Sequence, residues 1–453
     1  MDRWVGESGA ARSFPHRIKG FPYLRSTRVL ASFRNELGSE ARASAWLASL
    51  SAADSLARQT ELAQMPKVEQ TQLIQFAAET ARQAGLTGGP GPDATLDECR
   101  ALLVSRDRAD GERLEQLRRA VVPDDEYSLL QRIAGLYPLT SLGVRAGVAR
   151  WHDEVRQTFS TSGEPVSVDA ELRSYAPEPW RGGTVHTPVA RDALDIPRPD
   201  VAQLEALYRQ HAPVWQVDTA GAADIPGTPQ WQRGEDRPGV NAGEPVVYRY
   251  MSITRFRGRP RLQLNYLVWF DARPARGPLD MLAGRLDGVI WRVTLGESGK
   301  PLVYDSVHAC GCYHLLFPVG DVVLRPAALR LPEPPLVPVT LEPPQSRTRV
   351  HLRLSAGAHY LEGVIHDVPD PASARYRLAH REALYRTPVV GDGQRSLFRE
   401  DGLVEGTGRA ERWFLWPTGV RSPGAMRERG RRATAFIGQR HFDDAFLFDE
   451  LFY

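Results

Sequence analysis

The spacing of apolar residues changes once along the chain, and this change limits the folds that are possible. In the first third they recur three and four apart, as in Leu73, Phe76 and Ala77, which is the period of an amphipathic helix. From Pro245 onward the period is two, in runs rich in Val, Ile, Tyr and Trp that are typical of strands. The sequence therefore predicts an α+β protein, with a helical N-terminal domain followed by a larger mixed domain built on an antiparallel β-sheet.

Clusters of proline and glycine indicate the predicted domain boundaries. Residues 1–160 are predicted to form the mainly helical domain. Residues 161–244 are rich in proline and glycine and are predicted to connect the two domains, with one short helix at about 200–210. Residues 245–453 are then the β-rich domain.

Capping residues indicate where the helices of the first domain begin. Ser39 precedes a run of apolar residues, and Ser51 with Asp54 three residues later predicts a second helix start. Thr95 begins another predicted helix, and Cys99 lies on its apolar face. We expect Cys99 to be a small buried core residue there.

Three hairpins are predicted in the β-rich domain. Each consists of two runs of period two around a short segment of Gly, Pro, Ser or charged residues. The predicted pairs are 246–254 with 262–270, 289–295 with 302–307, and 350–354 with 359–365.

A seven-residue motif follows the second predicted hairpin and holds two of the three cysteines and two of the eleven histidines. His308, Cys310, Cys312 and His314 alternate with single residues, so in an extended strand all four would lie on one face. Strand residues two apart are separated by about 6.5 to 7 Å. At most two or three of the four can therefore bind one ion, unless Gly311 bends the chain.

Thiolate and imidazole are the ligands that zinc prefers, so a zinc site is the first hypothesis for this motif. Further ligands must come from elsewhere, and His359 is the candidate from the next hairpin. The predicted zinc ligands are Cys310, Cys312, His314 and His359.

Three functions are compatible with the motif. The first is a metal-supported, hydrolytic site in which His308 and Asp305 are the catalytic residues. The second is a noncatalytic binding or interaction protein in which the motif is a structural corner. The third is a thiol-dependent enzyme whose cysteine is activated by a neighbouring imidazole. The sequence leaves open whether the protein is an enzyme, and its partner is expected to be a small molecule or a protein.

Charge and composition narrow the partners and the compartment. The formal net charge of +2 gives no overall field for nucleic acid, so no nucleic-acid partner is expected. The longest apolar region, 129–148, is interrupted by Arg132, Pro138 and Arg145, and no transmembrane segment is expected. The N-terminus lacks a signal-peptide pattern, which predicts a soluble cytoplasmic protein, or one of the cell envelope if the N-terminus is trimmed.

The C-terminal tail carries six large apolar side chains among residues 446–453. Such a segment is expected to pack on its own domain, with a partner protein as the alternative.

Overall fold

The computed structural model describes residues 1–83, 85–86, 92–161, 170–179, 189–234, 237–345, 348–368, 374–391 and 393–453. Several stretches of the predicted connecting region 161–244 therefore lie outside the described residues. The helices are α1 (Asp2–Glu7), α2 (Arg28–Ser32), α3 (Glu40–Gln64), α4 (Lys67–Gln83), α5 (Pro92–Ala109), α6 (Gly111–Ala120), α7 (Leu129–Ala134), α8 (Tyr137–Ser160), α9 (Val201–His211), α10 (Arg412–Leu415) and α11 (Leu447–Leu451).

The strands are β1 (His16–Ile18), β2 (Phe21–Ser26), β3 (Glu171–Pro177), β4 (Val214–Thr219), β5 (Thr228–Trp231), β6 (Pro238–Asn241), β7 (Val246–Phe256), β8 (Arg259–Arg273), β9 (Gly284–Leu295), β10 (Pro301–His308), β11 (Leu315–Pro318), β12 (Arg349–Leu354), β13 (Leu361–Asp367), β14 (Ala374–His380), β15 (Thr387–Pro388) and β16 (Gln394–Arg395). The α+β class and the helical N-terminal region are confirmed.

The main sheet has ten strands in the order β11-β10-β9-β8-β7-β14-β3-β4-β12-β13. The half from β11 to β7 is antiparallel, but β14 pairs in parallel with both β7 and β3, and β12 pairs in parallel with β4. The sheet is therefore mixed and not purely antiparallel as predicted, because the half from β7 to β13 contains three parallel pairs. The reason is that β3 and β4 come from the predicted connecting region and insert between strands distant in sequence.

All three predicted hairpins are confirmed as antiparallel pairs, β7 with β8, β9 with β10 and β12 with β13. In the first, Arg257 and Gly258 both have positive φ values of 54° and 69°, as a tight two-residue hairpin turn requires. Glycine adopts a positive φ without a steric penalty, because it has no Cβ atom. Arg257 is one of the described non-glycine residues that also have a positive φ.

The sheet curls so that strands far apart in its order face each other. The hydroxyl of Tyr304 on β10 is 3.3 Å from Nε2 of His366 on β13. Helix α8 covers the concave core, where the rings of Phe159 and Phe317 are 5.6 Å apart. In this position, the N-terminal half of α8 lies beside the turn that follows β10.

Helix α3 runs unbroken from its N-cap Ser39, so the helix start predicted at Ser51 is wrong. Asp54 is buried and pairs with Arg25 and Arg100 at 3.3 and 3.0 Å instead of capping a helix. Arg58 is a third partner at 3.4 Å, so the Asp54 carboxylate is used in buried ion pairs and does not cap a helix.

Cys99 on α5 is exposed, which contradicts its predicted burial. The inward face of α5 is polar, with Arg100 and Asp107 buried and Leu102 57% exposed. Apolar spacing alone cannot locate the buried side of a helix whose inner contacts are ion pairs.

The C-terminal tail packs on its own chain, as predicted. Leu447, Phe448, Leu451 and Phe452 are buried in a cluster with Phe256 of β7.

Residues near the N-terminus contact this end of the chain as well. Arg12 is 3.5 Å from Glu428, and Ser13 donates its hydroxyl to the same carboxylate. Arg431 donates to the carbonyl of Ser13 at 2.9 Å. The region before β1 and the region after α10 therefore form one packed unit.

Candidate functional site

The cysteine motif forms the turn that joins β10 to β11. The N–H of His308 donates to the carbonyl of Cys312 at 3.0 Å, and the N–H of Gly311 donates to the carbonyl of His308 at 2.8 Å. Gly311 and Tyr313 have φ values of 99° and 61°. The four side chains therefore do not share one face as they would in an extended strand, because the backbone bends at Gly311, which is the alternative that the sequence left open.

The turn brings the two thiols together. The N–H of Cys312 donates to Sγ of Cys310 at 3.4 Å. Cys310 is buried, and Cys312 is partly exposed. The Cys312 thiol donates to Cys310 and lowers the pKa of Cys310, whereas the same contact raises the pKa of Cys312 well above its usual value. Cys310 is thus the thiol that ionises first.

A buried arginine adds positive charge beside Cys310. Arg409 has no exposed side-chain surface, and its charge also lowers the pKa of Cys310. Its guanidinium lies 3.2 Å from the carboxylate of Asp287, yet no nitrogen of the group has a hydrogen-bond partner of good geometry within the described chain. A cation held in this way stabilises a nearby thiolate.

Asp287 is the centre of a buried chain of acids and imidazoles. Its carboxylate is 3.4 Å from Nδ1 of His308 and 3.0 Å from Nδ1 of His359. The other nitrogen of His359 is 3.3 Å from Asp224, and the ring stacks on Phe270 with centroids 3.9 Å apart. This chain connects the cysteine turn to the opposite side of the sheet.

The contacts of these buried acids and imidazoles determine which of them are charged. Burial alone would raise the pKa of Asp287, but Arg409 and His308 hold it well below its usual value. Burial alone would lower the pKa of His359, but hydrogen bonds with Asp224 and Asp287 raise it. Burial lowers the pKa of His308 despite its carboxylate partner. His308 is therefore the more readily neutral of the two imidazoles.

A second acid, Asp305, forms a separate cluster. Arg292 donates to it through two nitrogens at 2.8 and 2.6 Å, and Nε2 of His314 is 2.9 Å away. Asp305 therefore contacts His314, whereas His308 contacts Asp287. The predicted catalytic pair of His308 and Asp305 does not meet. The buried ion pair with Arg292 gives Asp305 a structural role in the sheet.

Both cysteines line a cavity of about 440 Å³ between the turn and α8. Most of its wall is apolar, including Val144, Val148 and Trp151 of α8, with Trp151 5.3 Å from the ring of Tyr313. The polar side chains in the wall include His314, Glu333, Thr434 and Arg440. Glu411 faces the cavity, and burial raises its pKa. His152 also lines the wall, and burial lowers its pKa to about 4, so it is neutral near pH 7.

The predicted zinc ligands do not meet as one set. Cys310 and Cys312 lie together, but His314 is held by Asp305 and His359 by Asp224 and Asp287. Within the part of the chain that the structure describes, no group of three or more His, Cys, Asp or Glu side chains could hold a metal ion.

Sequence reasoning missed Asp287, Arg409 and Glu411. Asp287 had a visible signal, since a lone carboxylate directly before the apolar run 289–295 must find partners once the strand is buried. Arg409 and Glu411 lie in an irregular segment about 100 residues after the motif, and nothing local in the sequence points to the cysteines.

No protein-family model, curated protein or solved structure matches this chain. Among the described residues, no helix is long and apolar enough to cross a membrane.

Proposed function

We propose that the protein catalyses thiol-disulfide exchange, with Cys310 as the attacking thiolate and Cys312 as the resolving thiol. The observation that carries this proposal is that Sγ of Cys310 accepts the N–H of Cys312 at 3.4 Å, which holds the two residues together at the wall of a cavity. A redox pair needs one thiol that ionises readily and a second thiol within reach of the first. Arg409 supplies positive charge beside the first thiol.

The reaction balances without a metal or cofactor. The Cys310 thiolate attacks one sulfur of a substrate disulfide, forming a mixed disulfide and releasing one thiolate. Cys312 then gives its proton to the released thiolate and attacks Sγ of Cys310, which releases the second substrate thiolate and leaves a Cys310–Cys312 disulfide. Glu411, whose pKa burial raises, faces the cavity and is the group placed to give a proton to a departing thiolate. A dithiol reductant returns the protein to its starting state.

The size and lining of the cavity favour a small substrate of low polarity. A volume of about 440 Å³ holds a small molecule but not a folded protein. The apolar side chains of α8 cannot form hydrogen bonds with a substrate. On that side, the shape of the cavity determines which substrates bind.

The zinc site and hydrolysis remain a second proposal. Two adjacent thiols are good zinc ligands, and the two remaining ligands would have to come from water or substrate. Metal analysis of protein purified without chelator tests this proposal directly, and about one equivalent of zinc that is lost in Cys312→Ser would favour it.

The test of thiol exchange uses an aromatic disulfide whose released thiol is coloured. All variants carry Cys99→Ser, because Cys99 is exposed and would react on its own. The parent should rapidly release two thiols per chain, and Cys312→Ser should release one and keep a mixed disulfide that mass spectrometry detects. Cys310→Ser should react at least tenfold more slowly than the parent, because the thiol beside Arg409 is gone and burial still raises the pKa of Cys312.

Two results would contradict the proposal. One is a Cys310→Ser variant that reacts as fast as the parent. The other is a Cys312→Ser variant that still releases two thiols, since no second cysteine would then be needed.

A further inference from the structure

The surface beside the cavity is unusually apolar. Six large side chains of the α7–α8 pair are between 62% and 79% exposed, namely Leu129, Leu130, Ile133, Leu136, Leu139 and Leu142. Helix α10 adds Trp413 and Phe414, which are 68% and 64% exposed. We call these eight residues the docking face. Exposed apolar clusters of this kind mark interaction sites.

Helix α7 is joined by direct contacts to the segment that follows α10. Arg132 of α7 donates to the carbonyl of Thr418 at 2.7 Å, and the N–H of Ser128 donates to the carbonyl of Gly419 at 2.7 Å. Leu136, between α7 and α8, has a φ of 48°, and its side chain is 62% exposed. Because α7 packs on the segment that follows α10, the docking face is one surface formed by α7, α8 and α10.

Positive charge lies within the same segments. Residues 127–152 contain Arg132, Arg145 and Arg150 and no Asp or Glu, and residues 412–427 likewise contain arginines and no acid. No ion pair with a carboxylate of the described residues is present for Arg145 or Arg150. An apolar face with unpaired cations near it is complementary to an anionic lipid surface, and exposed tryptophan is typical of the membrane interface.

The cavity opens on this face. Phe414 lines the cavity and is 64% exposed, and Gly143 and Gly147 of α8 line it while they are exposed as well. A path therefore leads from the docking face to the two cysteines.

We propose that the docking face binds an anionic membrane surface, and that the cavity takes its substrate, a lipophilic disulfide or thiol, from the lipid. The choice of substrate rests on the proposed function, but membrane binding does not. A second copy of this chain is the competing occupant, because apolar faces also form dimers.

The test is sedimentation of the full chain with vesicles of phosphatidylcholine alone and of phosphatidylcholine with phosphatidylglycerol. The protein should bind the anionic vesicles about tenfold or more tightly than the neutral ones, and raised salt should weaken this binding. Leu130→Glu with Leu139→Glu should reduce binding to the anionic vesicles by about tenfold or more. Val68→Glu with Ile74→Glu is the matched control, since these side chains are 70% and 44% exposed on α4, outside the docking face.

Cys310→Ser separates the two proposals. It should bind the anionic vesicles as the parent does, whether or not the thiols react. Absence of vesicle binding, or equal binding by the Leu130→Glu, Leu139→Glu variant, would overturn the membrane proposal and leave thiol exchange untouched. Self-association that this variant abolishes, without any vesicle binding, would overturn it in favour of a second copy.

Discussion

Replacing Asp287 with asparagine tests whether the buried chain of acids and imidazoles holds the site together. Asp287→Asn keeps the size of the side chain but removes the negative charge that faces Arg409, His308 and His359. Arg409 is fully buried and has no other carboxylate at ion-pair distance among the described residues. An uncompensated buried charge of this kind costs about 3 to 5 kcal/mol.

This cost can be converted into a melting temperature. The entropy of unfolding is about 2.1 cal/mol/K per residue, which over 453 residues gives about 0.95 kcal/mol/K. Asp287→Asn should then melt about 3 to 5 °C below the parent if the whole chain unfolds together, and by more if the sheet unfolds separately. Differential scanning calorimetry measures the shift. Asp153→Asn is the control, because Asp153 pairs with Arg156 on the surface and is 80% exposed.

The shift should also depend on pH. The pKa of Asp287 is lowered in the folded state, so its stabilisation is present above the ordinary carboxyl pKa of about 4 and is lost as the pH falls. The pKa of His359 is raised, so its stabilisation is present below about pH 6.5 and is lost as the pH rises through the raised value. The difference between variant and parent should be largest between these limits. Equal melting of Asp287→Asn and Asp153→Asn across this range would refute the reasoning.

Two further predictions concern the cysteine turn and the tail. Gly311→Ala should slow the reaction of Cys310 with the aromatic disulfide and lower the melting temperature, because its Cβ would lie 2.4 Å from the carbonyl of Ala433, whereas Gly20→Ala has a similar positive φ with open space and should affect only stability. Equal reactivity of the two variants would show that the turn tolerates the change. Deletion of residues 446–453 should lower the melting temperature by several degrees or cause aggregation, because four buried side chains contribute about 6 to 10 kcal/mol before ordering costs. Tyr453→Ala, at a residue 55% exposed, should melt like the parent, and a tail deletion that does the same would contradict the packing seen here.

The hairpins were predictable because the information for them is local. The pair Arg257 and Gly258 lies between two runs of period two, and turn and strands specify each other. The parallel pairing of β14 with β3 was not predictable, because those strands are about 200 residues apart and neither contains a signal for the other. Contacts at such separation depend on how the whole sheet assembles.

The candidate site also has parts that could be predicted from local sequence and parts that could not. The motif itself marked Cys310 and Cys312, and the structure places them together. The spacing of the motif suggested a strand, but the reversal at Gly311 depends on its close approach to Ala433, more than 120 residues later. Arg409 likewise reaches the thiols only through the fold. The two cysteines could be singled out from the sequence, but the geometry of the turn around them could not.

The contact between Ser13 and Glu428 has a consequence for synthesis of the chain on the ribosome. The two residues are 415 positions apart, and a ribosome adding about 5 to 20 residues per second needs roughly 20 to 80 s to make the chain between them. During that time Arg12 and Ser13 lack the carboxylate that they meet in the folded protein. The segment before β1 therefore completes its packing only after the sheet has been translated, although it is synthesised first.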